Sequence, residues 1–189
     1  MVHVNLQWVS VYLTIGNSIV VCSVVGPVEV KSRQEKYDRC TIKVSWSSQH
    51  PDSICKDKFM ADKLLKFIES TILTKKYPRS MINISVQVVS EDGSLLAVAF
   101  NAAMVALMEA GVTQSICLYA VGCVIKNGNV MVDSCLDEEE DAESVHVLVF
   151  NEKKCVSHLS FGSFTLEQLD SCIDACNQDQ QFFNYFKHQ

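Results

Sequence analysis

Residues 91–111 read EDGSLLAVAFNAAMVALMEAG. From Leu95 to Ala110 the run is apolar except for Asn101 and Glu109, and Gly111 closes it. A helix this apolar on every side has no face for water, so it belongs in a core or in a membrane. It falls short of the roughly 20 residues that span a bilayer, and Asn101 sits near its middle. It is therefore read as the central helix of a globular core. In front of it stands Asp92-Gly93-Ser94, a turn of the kind that aims free backbone N–H groups at an anion. The next residues, Leu95 and Leu96, bring neither charge nor hydroxyl to hold one.

Around this helix the patterns alternate between strand and helix. Residues 80–90, SMINISVQVVS, have the two-residue period of a strand leading into it. Residues 2–13 and 19–26 flank a GNS turn and read as a hairpin. Residues 40–46 read as a further strand. Residues 54–73 place Ile54, Phe59, Leu64, Leu65, Phe67, Ile68, Ile72 and Leu73 along one stripe of an amphipathic helix. Asp52 or Ser53 would cap that helix, and the KKYP segment would end it, because a residue before proline resists the helical region. Beyond the central helix, residues 115–125 and VMVDS read as strands around a KNGN turn. Residues 136–144 are an acidic loop or short helix. VHVLVF and CVSHLSF are strands, and residues 165–188 are a final helix capped by Thr165. Strands outnumber helices, which predicts an α/β domain of the α+β kind: helices packed on a large mixed sheet, residues 1–189 forming one domain.

Composition sets limits on function. The chain has 189 residues, 48% hydrophobic and 20% charged, which is ordinary for a folded protein. Its net charge of −6 argues against a stand-alone basic nucleic-acid-binding domain but leaves room for a local basic strip. Nine cysteines, an odd number, sit mostly in apolar runs with no CxxC pair. Free buried thiols are expected, and with them a reducing compartment, cytosol or nucleus. Met1–Gly16 shows no basic n-region or cleavage site, so neither an export signal nor a membrane partner is expected.

Two charged groups stand out. The acidic run Asp133, Asp137, Glu138, Glu139, Glu140, Asp141, Glu143 is either a solvated loop or a carboxylate cluster able to hold Mg²⁺. The cations Lys31, Arg33, Lys36 and Arg39, together with Lys75, Lys76 and Arg79, form either a solvated face or a surface for nucleic-acid phosphates. His146 and His158 are weak candidates for a catalytic pair. No nucleophile elbow, Walker loop or HExxH motif is present.

VVCSVVGPVEVKSRQE (20–35), YPRSMINISVQVVSEDGSLLAVAFNAAMVALMEAGV (77–112) and GNVMVD (128–133) resemble the RNase PH family in order and spacing, over roughly residues 5–150. Within it the chain looks most like a ring subunit of the eukaryotic RNA exosome. The resemblance implies a fold of the ribosomal protein S5 domain 2 type, assembled into hexameric rings. Active members of the family remove RNA 3′ ends with inorganic phosphate. They hold the phosphate on a GGTRTA-like turn and place acidic residues at D-x5-D spacing. On that pattern Gly93, Ser94, Leu95 and Leu96 form a degenerate phosphate site, with leucines in place of Thr and Arg. Asp133 matches the first aspartate, Glu139 stands in for the second, and the further acid falls near Val145.

The resemblance therefore implies a non-catalytic, phosphorolysis-deficient ring subunit that requires no cofactor and has no certain metal. Its partners would be other RNase PH-like ring subunits, cap subunits and single-stranded RNA. Lys31, Arg33, Lys36, Lys75, Lys76 and Arg79 would line the RNA path. It would serve rRNA processing and RNA decay in nucleus, nucleolus and cytoplasm, and would form a homodimer when isolated. The alternative is a homodimeric nuclease hydrolysing DNA or RNA through Asp133, Glu139 and Mg²⁺.

Overall fold

The computed structural model describes residues 7–30, 34–49, 53–152 and 154–178. Its elements are β1 (Gln7–Ile15), β2 (Ser18–Glu29), β3 (Thr41–Ser47), α1 (Ile54–Glu69), β4 (Ser80–Ser90), α2 (Leu95–Glu109), β5 (Tyr119–Lys126), β6 (Asn129–Val132), α3 (Leu136–Glu140), β7 (Ser144–Asn151), β8 (Lys154–Gly162) and α4 (Leu166–Gln178). A 3-10 turn covers Thr74–Lys76. No described helix is long and apolar enough to cross a membrane.

The strands form two four-stranded sheets, ordered β1-β2-β4-β3 and β6-β5-β7-β8, rather than the one large sheet the pattern suggested. Contacts group the chain into two compact units: Met1–Leu13, Ile19–Ser90 and Ala99–Cys117 in one, and Thr14–Ser18, Glu91–Val98 and Leu118–Gln189 in the other. Local periodicity marks a strand but does not say which neighbour it pairs with, so the division was not legible from alternation alone.

In the first unit β2 and β4 are antiparallel, with Val24 opposite Ile84. β3 lies parallel to β4, with Val44 opposite Ile84. The parallel pair is joined through α1, because parallel neighbours need a crossover rather than a tight turn. One face of this sheet buries Val20, Cys22, Val24, Ile42, Ile82, Ile84 and Val86. Leu64 and Ile68 of α1 are fully buried, and Phe67 meets Phe100 of α2 edge-on at 5.9 Å. The apolar stripe of α1 is narrower than predicted: Ile54 is 61% exposed and Phe59 38%. The helix also stops at Glu69, well before Pro78. There the Thr71 hydroxyl donates to the Ile68 carbonyl at 2.8 Å, and Ile72 leaves to bridge Gln114. Ser53 occupies the cap position, but its hydroxyl donates to the Asp57 carboxylate instead of capping the backbone. Asp52 lies outside the described residues.

The second unit is an antiparallel sheet. β5, buried along almost its whole length, pairs with β6 on one side and β7 on the other. It begins at Tyr119, four residues later than the apolar run suggests. Tyr119 stacks on Phe150 at 5.6 Å, and its hydroxyl donates to the Glu152 carbonyl at 2.8 Å. α4 packs against β5 and β6. At its start the Thr165 hydroxyl accepts from the Gln168 N–H at 3.3 Å while the Gln168 side chain accepts from the Thr165 N–H at 2.8 Å, so the predicted cap forms as a reciprocal box. The described part of α4 ends at Gln178; the remainder of the predicted helix lies outside the described residues.

α2 is as buried as its sequence demands. Val98, Ala99, Phe100, Ala102, Ala103, Met104, Ala106 and Leu107 have no exposed surface.

Candidate functional site: a filled anion turn and a basic surface

The turn before α2 is built from two consecutive left-handed residues, Gly93 (φ 81°) and Ser94 (φ 47°). Gly93 has no room for a side chain, because a Cβ there would lie 2.3 Å from the Ser134 carbonyl oxygen. Gly122 is bare for the matching reason: a Cβ would meet the Ser94 hydroxyl at 2.2 Å. Side chains fix the turn from outside. The Ser18 hydroxyl donates to the Gly93 carbonyl at 2.8 Å and accepts from the Asp92 N–H at 2.9 Å. The Asn17 amide donates to the Asp92 carboxylate at 2.8 Å, and the Leu136 N–H donates to it at 3.4 Å.

One of the backbone donors at the head of α2 is taken. The Ser94 N–H donates to Oε1 of Glu139 at 2.5 Å, and the Ser134 hydroxyl donates to the same oxygen at 3.4 Å. Short helix α3 positions this carboxylate, and Glu138 beside it folds back to accept from the Cys135 N–H at 2.9 Å. A helix N-terminus favours negative charge, and here the chain supplies it from its own sequence. Leu95 and Leu96 are 7% and 4% exposed, so they point into the core and add no charge to the turn. The turn thus holds a carboxylate of the chain itself on a backbone N–H at the head of α2. An anion brought to the Ser94 N–H would have to displace Glu139 or stand against its like charge.

The acidic run thus divides. Glu138 and Glu139 are half-buried and turned onto backbone N–H groups, while Asp137, Glu140, Asp141 and Glu143 are exposed. Asp133 follows β6 in a left-handed conformation (φ 53°), with its N–H on the Gly122 carbonyl at 2.9 Å. Asp133 and Glu139 belong to the same unit as the turn, and Val145 lies in β7. Among the described residues no three His, Cys, Asp or Glu side chains converge as a metal-ligand group. Oε1 of Glu139 is engaged by the Ser94 N–H and the Ser134 hydroxyl.

His146 and several cysteines are buried in the core. His146 is buried, with Nε2 2.9 Å from the Ser144 hydroxyl and Nδ1 2.8 Å from the Ser160 hydroxyl, and its ring stands edge-on to Phe164. Burial, then the nearby His158 charge, lowers its pKa, as suits a neutral core imidazole rather than a catalytic one. All nine cysteines are free thiols. Cys123 is hydrogen-bonded with Cys176 and Cys172; that contact with Cys176, and burial, push its pKa up. Burial pushes the Cys22 and Cys172 thiols up to about 12, which leaves them inert.

The first unit carries the basic surface. Loop 34–40 is laced to the segment after α1: the Cys40 N–H donates to the Thr74 carbonyl at 2.9 Å, and the Arg79 N–H donates to the Lys36 carbonyl at 3.2 Å. Two stretches of sequence forty residues apart thereby bring Lys36, Arg39, Lys75, Lys76 and Arg79 onto one surface, all exposed. Arg39 pairs with Asp38 at 3.0 Å and Arg79 with Glu35 at 3.6 Å. Lys31 and Arg33 lie outside the described residues. Tyr37, which lies against Arg79, went unnoticed in the sequence because nothing local marks a loop tyrosine as part of a charged patch.

Two protein-family models match the chain: domain 1 of the 3′ exoribonuclease family over residues 5–113 and domain 2 over residues 118–176. The exosome complex component rrp46 of Schizosaccharomyces pombe is 32% identical over 113 residues, covering 59% of this chain and 50% of that protein. The exosome complex exonuclease RRP46 homolog of Oryza sativa subsp. japonica is 31% identical over 157 residues, covering 82% of this chain and 64% of that protein. The chain thus spans between half and two thirds of these relatives' length. Among solved structures, rice Rrp46 superposes with a TM-score of 0.85 at 24% identity, covering 96% of this chain and 93% of that one. The Archaeoglobus fulgidus exosome with RNA bound to the active site superposes with a TM-score of 0.71 at 16% identity, covering 91% of this chain and 81% of that one. With both family domains matched in order and the fold shared, this chain belongs to the RNase PH (3′ exoribonuclease) family.

Proposed function

We propose that the chain is a phosphorolysis-deficient ring subunit of an RNA exosome, of the Rrp46 type, which builds the ring and guides single-stranded RNA toward processing or decay. The observation that carries this reading is the Glu139 carboxylate on the Ser94 N–H, with Leu95 and Leu96 buried where a phosphate-binding enzyme needs a cation. A bidentate guanidinium is the usual grip on a phosphate, and the turn offers none. Relatives named as exosome components support the assembly role. In this reading Lys36, Lys75, Lys76 and Arg79, with Lys31 and Arg33, contact RNA phosphates without reading bases. Partners are other RNase PH-like subunits of the ring and its cap subunits, and the isolated chain pairs as a homodimer. The work is 3′–5′ RNA processing and decay, rRNA included, in nucleus, nucleolus and cytoplasm.

Two expectations follow for the purified chain. It releases no nucleoside diphosphates from RNA when inorganic phosphate is added. It also leaves an end-labelled single-stranded RNA or DNA intact when given Mg²⁺ without phosphate. Shortening of the strand that disappears in Asp133→Asn would replace this reading with the Mg²⁺-dependent nuclease.

A further inference from the structure

Tyr37 is 73% exposed and lies next to Lys36 in the loop that carries part of the basic surface. The Arg79 guanidinium lies over its ring, 5.2 Å from the centroid. Three restraints hold Arg79 there: its left-handed backbone (φ 58°), its N–H on the Lys36 carbonyl and its ion pair with Glu35. A non-glycine residue in that conformation is uncommon and persists only where its surroundings demand it. The ring therefore has a guanidinium on one side and remains largely open to solvent. Lys36 and Arg39 flank it in the same loop, and the Cys40–Thr74 backbone bond ties that loop to the segment carrying the exposed Lys75 and Lys76; Glu35, Asp38 and Glu69 offset part of this charge. The other cation–π pair among the described residues, Lys63 over Phe59, lies on α1.

An exposed aromatic face flanked by backbone-seeking cations is how proteins hold single-stranded nucleic acid, since every base has a π-face and stacking tolerates any sequence. We propose that Tyr37, backed by Arg79, is a stacking platform for one base of a single-stranded RNA whose phosphates lie on the surrounding lysines. The inference rests on the RNA-binding reading above and adds to it a base contact that the phosphate-contacting cations do not supply.

Fluorescence anisotropy on the full chain tests it with two labelled probes: a uridine 12-mer RNA and a ribose-phosphate strand of the same length without bases. Tyr37→Leu is expected to weaken the uridine strand by about fivefold or more, with the salt slope unchanged and the abasic strand bound as by wild type. Tyr37→Phe should retain wild-type affinity, because the ring and not the hydroxyl does the stacking. If Tyr37→Leu binds both probes like wild type, or loses affinity equally for both, the platform does not exist. Loss of binding in Lys75→Glu/Lys76→Glu alongside an unaffected Tyr37→Leu would overturn only this inference. Failure of wild type to bind either probe would overturn the RNA-binding reading and this inference together.

Discussion

Gly93→Ala is expected to lower the melting temperature by about 4–20 °C, more than any exposed substitution should. The backbone at Gly93 is left-handed (φ 81°), which costs a residue with a Cβ about 1–2 kcal/mol. The new methyl would also sit 2.3 Å from the Ser134 carbonyl oxygen and 2.7 Å from the Cys135 carbonyl carbon. Both are backbone atoms and cannot rotate away. Overpacking of this kind adds about 1–3 kcal/mol, for a total of about 2–5 kcal/mol, which converts at about 2–4 °C per kcal/mol in a chain of this size. Gly128→Ala is the control. It shares the positive φ, at 74°, but a Cβ there meets nothing within 4 Å. It should show only the conformational part of the loss. Thermal denaturation of the two variants side by side separates strain from clash. Equal melting temperatures would mean that the turn is looser than the packing indicates.

The second large effect concerns the basic surface. Lys75→Glu/Lys76→Glu is expected to weaken single-stranded RNA about tenfold or more at low salt, equally for all sequences. Each phosphate contact on a single strand contributes about 0.7 to the log–log salt slope, so losing two flattens it by about 1.4. Both side chains are exposed, and the Lys76 ammonium makes one hydrogen bond, to the Thr113 hydroxyl at 3.3 Å, so the fold should survive. Titrations at two salt concentrations are the check. Unchanged affinity and slope would reduce the patch to a solvated face and remove RNA guidance from the proposed role.

Much of the fold was written in local pattern. Residues 80–90 form β4 to the residue, because that strand alternates strictly between a buried and a wetter face. The central helix was legible because no exposed helix tolerates so little polarity. The end of α1 was not. Ile72 and Leu73 continue the helical period in sequence, yet Ile72 is used in a bridge to Gln114, a partner that periodicity does not reveal.

The candidate site divides along the same line. Gly93, Ser94, Leu95 and Leu96 announced a turn without its cation. Spacing paired Glu139 with Asp133, but it could not show that the Glu139 carboxylate reaches 45 residues back in the chain to the Ser94 N–H. Tyr37 acquires its meaning only from Arg79, which the chain returns to it after β3 and α1.

The central claim is that a carboxylate from α3 has taken the place of phosphate at the head of α2. The most direct measurement is product analysis after incubating the purified chain with a short single-stranded RNA, Mg²⁺ and increasing inorganic phosphate. The expected result is no nucleoside diphosphate above the phosphate-free control at any concentration. Phosphate-dependent release of nucleoside diphosphates from the 3′ end would contradict it, because the turn would then be holding phosphate despite Glu139, Leu95 and Leu96.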